Sequence, residues 1–232
     1  MQRTERDHAM FEWLRVVRMA DMDSLRWALG GLSGAGAPVS LRKAQQWVQR
    51  CAAVGLVDRA RPTFRDGSIV WATHAAIGLS APNLYRQTTR HEVAVAAVSA
   101  RYLARGFTWR RDRKPANIRT DHQVDGVAVR GDHVELVEVE LTPKTRSRYK
   151  QIMDNHSWRL EREGVSRVSY FCTADAARAV TGHADEHLFR TIRDRLQSVE
   201  SFDVRGRWIA DEDAPWASLP TAAELDGARP SE

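Results

Sequence analysis

Two β-strand patterns joined by a short turn constrain the fold of this chain most strongly. Residues 123–130 (QVDGVAVR) and 133–141 (HVELVEVEL) are separated only by a Gly-Asp dipeptide, which is typical of a two-residue hairpin turn. Such a turn sets the register of the two strands, so we expect Asp125 to lie opposite Glu138. The sequence therefore predicts an antiparallel hairpin with a defined register.

The alternation of side chains along this hairpin gathers acids on one face. Leu136, Glu138 and Glu140 share a face, and Asp125 joins it because cross-strand partners lie on the same side of a sheet. Like charges in these positions repel each other, so a cation is expected between them. Carboxylate oxygens are ligands of Mg²⁺, and the set predicts a site for Mg²⁺ or Mn²⁺. The alternative is a solvent-facing strand, but neither strand offers a lysine opposite the glutamates.

A basic helix follows the hairpin directly. Thr142 is a good N-cap residue and Pro143 a good first helical residue, so we expect a helix from here to about Arg162. Lys144 then lies in the first turn, where the helix dipole disfavours a cation. Proximity to the carboxylates explains this placement. The alternative is that Lys144 belongs to a basic helix surface that holds a phosphate backbone.

The remainder of residues 86–210 alternates between helix and strand patterns. This order predicts an α/β domain with a mixed sheet flanked by helices. Beyond the hairpin, we expect helices at 91–105, 143–162 and 183–197, and strands at 107–110, 167–172 and 202–209.

Residues 1–85 have a different organisation, with helix patterns followed by a basic hairpin. Helices are expected at 8–20, at 21–29 and from Ser40 to Gly55. The third helix has no acid and carries polar and basic residues on its exposed side, where Arg and Gln are suited to reading guanine and adenine. These residues are Arg42, Lys43, Gln45, Gln46, Gln49 and Arg50. The alternative is an ordinary solvated helix face.

The predicted hairpin after this helix places Arg59, Arg61 and Arg65 on or beside an Asp66-Gly67 turn. Three helices followed by a basic hairpin resemble a winged helix-turn-helix. That resemblance implies a third helix in the major groove of double-stranded DNA and a hairpin on phosphate. Some winged helices bind proteins instead, and that alternative stays open.

The distribution of charge supports a polyanionic partner. The chain has a formal net charge of +5, but residues 211–232 carry six acids and one base and are expected to form an acidic tail. The preceding residues therefore carry +10, although Arg-rich solvated surfaces would give the same sum. No stretch has the length of a membrane span, and two distant cysteines fit a reducing cytoplasm, so we expect a cytoplasmic protein with no membrane partner.

The spacing of Asp125 and Glu138-Val139-Glu140 before a helix resembles the PD-(D/E)xK nuclease superfamily. The resemblance implies catalysis with Mg²⁺ or Mn²⁺ by Asp125, Glu138, Glu140 and Lys144. Glu92 matches an additional acid that many members carry on the preceding helix. Glu140 replaces the usual motif lysine, and in some members a lysine on the following helix takes its role. The whole arrangement, winged helix and VEVELTPK junction, resembles the replication-relaxation family of plasmids and mobile elements.

Three functions follow from these patterns. The first is a Mg²⁺-dependent DNA endonuclease or nickase, and the second a sequence-specific regulator of replication or transcription with a degenerate nuclease domain. The third is a protein-binding adaptor, which the charge pattern disfavours. A homodimer is left open. His183 and His187, four residues apart, could bind a metal, but a solvated helix surface near Asp185 and Glu186 is the interpretation that we favour.

Overall fold

The computed structural model describes residues 3–62, 67–113, 122–210 and Trp216. The chain divides into two compact units, Met1–Trp109 and Arg110–Glu232, and helices and β-strands occur in both. This confirms the predicted α+β class. Among the described helices, none combines the length and the apolar composition that a membrane crossing requires. The predicted acidic tail, 211–232, lies outside the described residues except for Trp216.

The helices of the first unit begin where side chains can cap them. Thr4 accepts a hydrogen bond from the backbone of Asp7, and Asp21 and Ser40 do the same for the two helices that follow. The described elements of this unit are α1 (Glu5–Val17), β1 (Ala20–Asp21), α2 (Met22–Gly31), α3 (Leu41–Ala52), β2 (Val57–Ala60), β3 (Ile69–Ala72), α4 (His74–Ile77) and α5 (Thr89–Ala104).

The three short strands form an antiparallel sheet in the order β1-β3-β2. Val57 pairs with Ala72 and Ala60 with Ile69, so β2 and β3 form the expected hairpin. Residues 61–68 connect them. The predicted turn at Asp66-Gly67 falls at the edge of a gap, residues 63–66, in the described chain.

The sequence pattern divides the chain near residue 85. In the structure the first unit extends to Trp109 and includes α5. In the structure α5 packs along α2, and the Trp13 indole donates a hydrogen bond of 2.8 Å to Ser99. A Cβ atom on Gly31 would lie 2.6 Å from the backbone nitrogen of Ala104, so only glycine permits this approach. Because α5 buries its apolar residues here, it belongs with the preceding helices.

The second sheet is mixed, as predicted, with strand order β4-β5-β6-β7-β8. Strands β5 and β6 are antiparallel, whereas β6, β7 and β8 are mutually parallel neighbours. Helices α6 and α7 cover one face and form a core with it. The described elements are β4 (Thr108–Arg110), β5 (Gly126–Arg130), β6 (His133–Glu140), α6 (Arg146–Arg162), β7 (Arg167–Thr173), α7 (Ala174–His187), α8 (Arg190–Arg193) and β8 (Leu196–Phe202).

Two predicted elements near the end of this unit are wrong. The helix expected at 183–197 is α7, which starts directly after β7 and ends at His187. The strand expected at 202–209 is instead β8, which ends at Phe202. The residues after it turn back, because the Asp203 carboxylate accepts hydrogen bonds from the backbone of Arg205 and Arg207. Alternating apolar residues there reflect a tight turn and not a sheet strand.

Candidate functional site

The register of the central hairpin is the one that the sequence predicts. Gly126 pairs with Val137 and Arg130 with His133, with no irregularity between them. Continuing this register places Asp125, just before β5, opposite Glu138. The Asp125 carboxylate accepts a hydrogen bond of 2.8 Å from the backbone of Val139, which anchors it at this end of the hairpin.

The acids of β6 lie on the covered face of the sheet. Glu138 and Glu140 are each only 4% exposed, and they share their face with Leu136, which belongs to the core under α6 and α7. In the neighbouring strand, Tyr170 and Cys172 lie beside them. The solvent-facing strand considered as an alternative is therefore excluded. Two carboxyl groups are buried here, and each needs a polar or charged partner.

Glu138 is held by a histidine network. His122 hydrogen-bonds through Nε2 to Oε1 of Glu138, and Nε2 of His156 lies 3.6 Å from the same oxygen. His156 also shares a hydrogen bond of 2.8 Å with the Tyr170 hydroxyl. Arg148 lies 3.2 Å from Nδ1 of His122. Because a guanidinium only donates, Nδ1 of His122 accepts and its Nε2 carries the proton given to Glu138.

Burial shifts the protonation of this cluster towards neutral forms. It raises the pKa of Glu138, against the opposing effect of His122. It also lowers the pKa of His156 well below the usual value, so that His156 is neutral at pH 7. Nδ1 of His156 is buried without a hydrogen-bond partner among the described residues. Several perturbed groups in one place are typical of a functional site.

Lys144 adds a positive charge beside the second buried acid, Glu140. Its ammonium group forms an ion pair with Glu140, and its backbone N–H donates a 3.2 Å hydrogen bond to the Tyr149 hydroxyl. Burial lowers the pKa of Lys144, while Glu138 and Asp125 act in the opposite direction. The prediction that Lys144 lies in the first helical turn is wrong. Thr145 caps α6 by accepting a hydrogen bond from the backbone of Arg148, so Lys144 lies outside the helix.

The predicted metal ligands are neighbours, but they do not converge on one point. Among the described residues, the group whose ligand atoms lie within 4.8 Å of one another is His183, Glu186 and His187, and not Asp125, Glu138 and Glu140. Glu92, the additional acid expected at this site, is in the first turn of α5 in the first unit, where it accepts a hydrogen bond from Thr88.

The predicted DNA-contacting residues of α3 divide into two groups. The first group is exposed and consists of Arg42, Lys43, Gln45, Gln46 and Gln49. Arg50 differs, because its guanidinium binds the fully buried carboxylate of Asp7 at 2.5 and 3.1 Å. The Arg50 side chain is therefore held in an ion pair within the first unit. On the hairpin, Arg59 and Arg61 are exposed, whereas Arg65 lies outside the described residues.

Sequence reasoning missed the histidines around Glu138. A signal for His156 was present, because Tyr149, Met153, His156 and Leu160 follow one apolar stripe of α6 and all four are buried. A histidine on such a stripe indicates a polar partner in the core. His122 gave no comparable signal, because it precedes β5 in a segment without periodicity.

Comparison of the chain with protein-family models, with curated proteins and with solved structures gave no match. The functional assignment therefore depends on the residues and on their geometry.

Proposed function

We propose that this protein binds double-stranded DNA through its first unit and cleaves or nicks DNA with Mg²⁺ or Mn²⁺ through a restriction-endonuclease-like second unit. The observation that carries the proposal is the grouping of Asp125, Glu138, Glu140 and Lys144 around one end of a buried sheet face. The resemblance to the replication-relaxation family suggests a plasmid or mobile-element protein.

The architecture of the first unit supports DNA binding. The order α1-β1-α2-α3-β2-β3, with β1 paired to β3, resembles that of a winged helix-turn-helix. In that fold α3 enters the major groove and the β2-β3 hairpin contacts phosphate. Arg42, Gln45, Gln46 and Gln49 are exposed on α3, and Arg59 is exposed on the hairpin. These side chains can therefore reach DNA without rearrangement of the core.

The chemistry of the carboxylate cluster fits a hard divalent cation. Asp125, Glu138 and Glu140 offer only oxygen ligands, which Mg²⁺ prefers. Oε1 of Glu138 faces His122 and His156, and Oε2 of Glu140 faces Lys144. When bound, Mg²⁺ would activate water and neutralise charge on a scissile phosphate.

The remaining side chains have separate roles in this proposal. Lys144 supplies positive charge for the phosphate. His122 holds Glu138 in place, and Arg148 sets the tautomer of His122. Tyr170 and His156 are hydrogen-bonded to each other and lie on the side of the cluster that faces the core.

Cleavage is tested with supercoiled plasmid in Mg²⁺ or Mn²⁺. We expect metal-dependent nicking or linearisation by the unaltered protein and its loss in Asp125→Asn and Glu138→Gln. Glu135→Gln is the matched control, because Glu135 is a fully buried acid of the same strand that binds Ser169 instead. Equal cleavage by all four proteins would show that a contaminating nuclease is responsible.

DNA binding is tested by gel shift on a selected duplex. The Arg42→Ala/Gln46→Ala variant is expected to bind more weakly, with a loss of sequence preference and a shallower salt dependence. Arg90→Ala, at an exposed position of α5, controls for the loss of one positive charge. Unchanged affinity and preference in the double variant would overturn the assignment of α3 as the reading helix.

A non-catalytic regulator is the second candidate, and one observation favours it. The described residues already supply cations or hydrogen-bond donors to the buried acids, through His122 for Glu138 and Lys144 for Glu140. These partners can offset the burial of both carboxylates in place of a metal. Intact plasmid together with undiminished gel shifts in every active-site variant would support this function.

A further inference from the structure

The C-terminal end of α7 carries a group of metal-ligating side chains that the proposed nuclease site does not use. His183, Glu186 and His187 stand at i, i+3 and i+4 of one helix, so they share a face. Their ligand atoms all lie within 4.8 Å of one another. We propose that these three residues bind one borderline divalent transition metal, of the class of Zn²⁺, Co²⁺ or Ni²⁺.

The separations within this group match the coordination of such a metal. Oε2 of Glu186 lies 3.4 Å from Nδ1 of His183 and 3.6 Å from Nε2 of His187. Ligands about 2.0–2.1 Å from a tetrahedral zinc ion are roughly 3.3 Å apart, so only small side-chain movements are needed. Two imidazoles and one carboxylate form a three-ligand set that leaves a fourth position for water or another small ligand.

One imidazole nitrogen of each histidine has no hydrogen-bond partner among the described residues. Nδ1 of His183 and Nε2 of His187 are shielded from solvent, and neither makes a geometrically acceptable hydrogen bond with the described residues. A buried nitrogen without a partner is destabilising, and coordination to a metal would satisfy both.

The surroundings hold the ligands in place. The ring of Tyr149 stacks on His183 with centroids 4.6 Å apart, and the two histidine rings are parallel to within 3°. Arg146 pairs with the other oxygen of Glu186, which lowers the pKa of this carboxyl and keeps it ionised. The metal would also lie at the helix C-terminus, where the dipole stabilises positive charge. Contacts that fix the rings and keep the carboxylate ionised orient the ligands in metal sites.

Metal binding is measured on the full chain after removal of metals with a chelator. Zn²⁺ affinity is determined by competition with a chromophoric chelator, and Co²⁺ by its visible absorption, which is intense for a tetrahedral site. We expect one equivalent bound, with at least about a 100-fold loss of affinity in His183→Ala and in His187→Ala, because outer-shell changes alone cost 10–100-fold.

Two controls separate this site from others. Asp185→Asn changes an exposed acid of the same helical turn and should leave the affinity unchanged. Glu138→Gln should also bind Zn²⁺ normally, so failure of the nuclease proposal and failure of this one are distinguishable. Circular dichroism spectra identify any variant that does not fold, and Glu186→Gln provides a conservative second test. Absence of Zn²⁺ binding by the unaltered chain, or equal binding by the histidine variants, would overturn the proposal.

Discussion

Replacing Asp7 by asparagine tests how the first unit holds α3. Asp7 is fully buried and accepts hydrogen bonds on both carboxylate oxygens. Oδ1 accepts hydrogen bonds from the Trp47 indole at 2.9 Å and from one Arg50 nitrogen at 2.5 Å. Oδ2 accepts hydrogen bonds from the Thr4 backbone N–H at 3.0 Å and from the other Arg50 nitrogen at 3.1 Å. In Asp7→Asn, either orientation of the amide therefore points its NH₂ group at two donors.

The expected cost of Asp7→Asn is about 2–3 kcal/mol. Breaking a buried ion pair costs about 3–5 kcal/mol, but the Arg50 side chain is 38% exposed and regains hydration, which reduces the loss. Glu5→Gln is the matched control, because Glu5 lies in the same first turn of α1 but is exposed. It should lose at most about 1 kcal/mol from the helix dipole.

The pH dependence of this difference has a defined sign. Burial opposes ionisation of Asp7, but hydrogen bonds from Arg50, Thr4 and Trp47 outweigh it and hold the pKa of Asp7 well below 3.8. Because the folded pKa is depressed, the contribution of Asp7 is complete above the unfolded pKa and is lost as the pH falls through the folded pKa. The stability difference between the unaltered protein and Asp7→Asn should therefore be constant above about pH 5 and shrink below pH 4.

The measurement is urea denaturation followed by tryptophan fluorescence and circular dichroism, from pH 3 to pH 7. Asp7→Asn should have a lower midpoint than Glu5→Gln at neutral pH, and the difference between their midpoints should begin to shrink below pH 4. Equal midpoints for the two variants at pH 7 would refute the argument. A difference that stays constant down to pH 3 would show that the charge of Asp7 is not the stabilising feature.

Two further predictions concern close packing and buried thiols. Gly31→Ala should destabilise the first unit by about 1–3 kcal/mol, because its Cβ would lie 2.6 Å from the backbone of Ala104. Gly182 lies in α7, and a Cβ atom added to it would have no heavy atom within 4 Å, so Gly182→Ala should stabilise the second unit by about 0.5–1 kcal/mol. Thermal melts in which Gly31→Ala is more stable than Gly182→Ala would contradict both predictions. Burial raises the pKa of Cys51 to about 11 and that of Cys172 to about 12. A thiol reagent at pH 8 should therefore label both cysteines only after denaturation. Rapid labelling of the native chain would contradict their burial.

Local sequence determined the parts of this protein that depend on short-range geometry. The dipeptide turn set the register of β5 and β6, since only one pairing is compatible with two connecting residues. Period-2 alternation then placed Glu138 and Glu140 on one face. Likewise, the Ser40 cap and the apolar spacing of α3 determined which of its residues are exposed.

Tertiary structure decided which groups become partners. His156 reaches Glu138 only because α6 packs on the sheet, and His122 reaches it from the segment before β5. Arg50 is an ion-pair residue only because α1 presents Asp7 to α3. Local patterns do not specify such contacts, because they depend on burial and on the packing of elements distant in sequence. Even the helix that carries His183 and His187 was predicted nine residues late, since the position of α7 follows from the parallel crossover between β7 and β8.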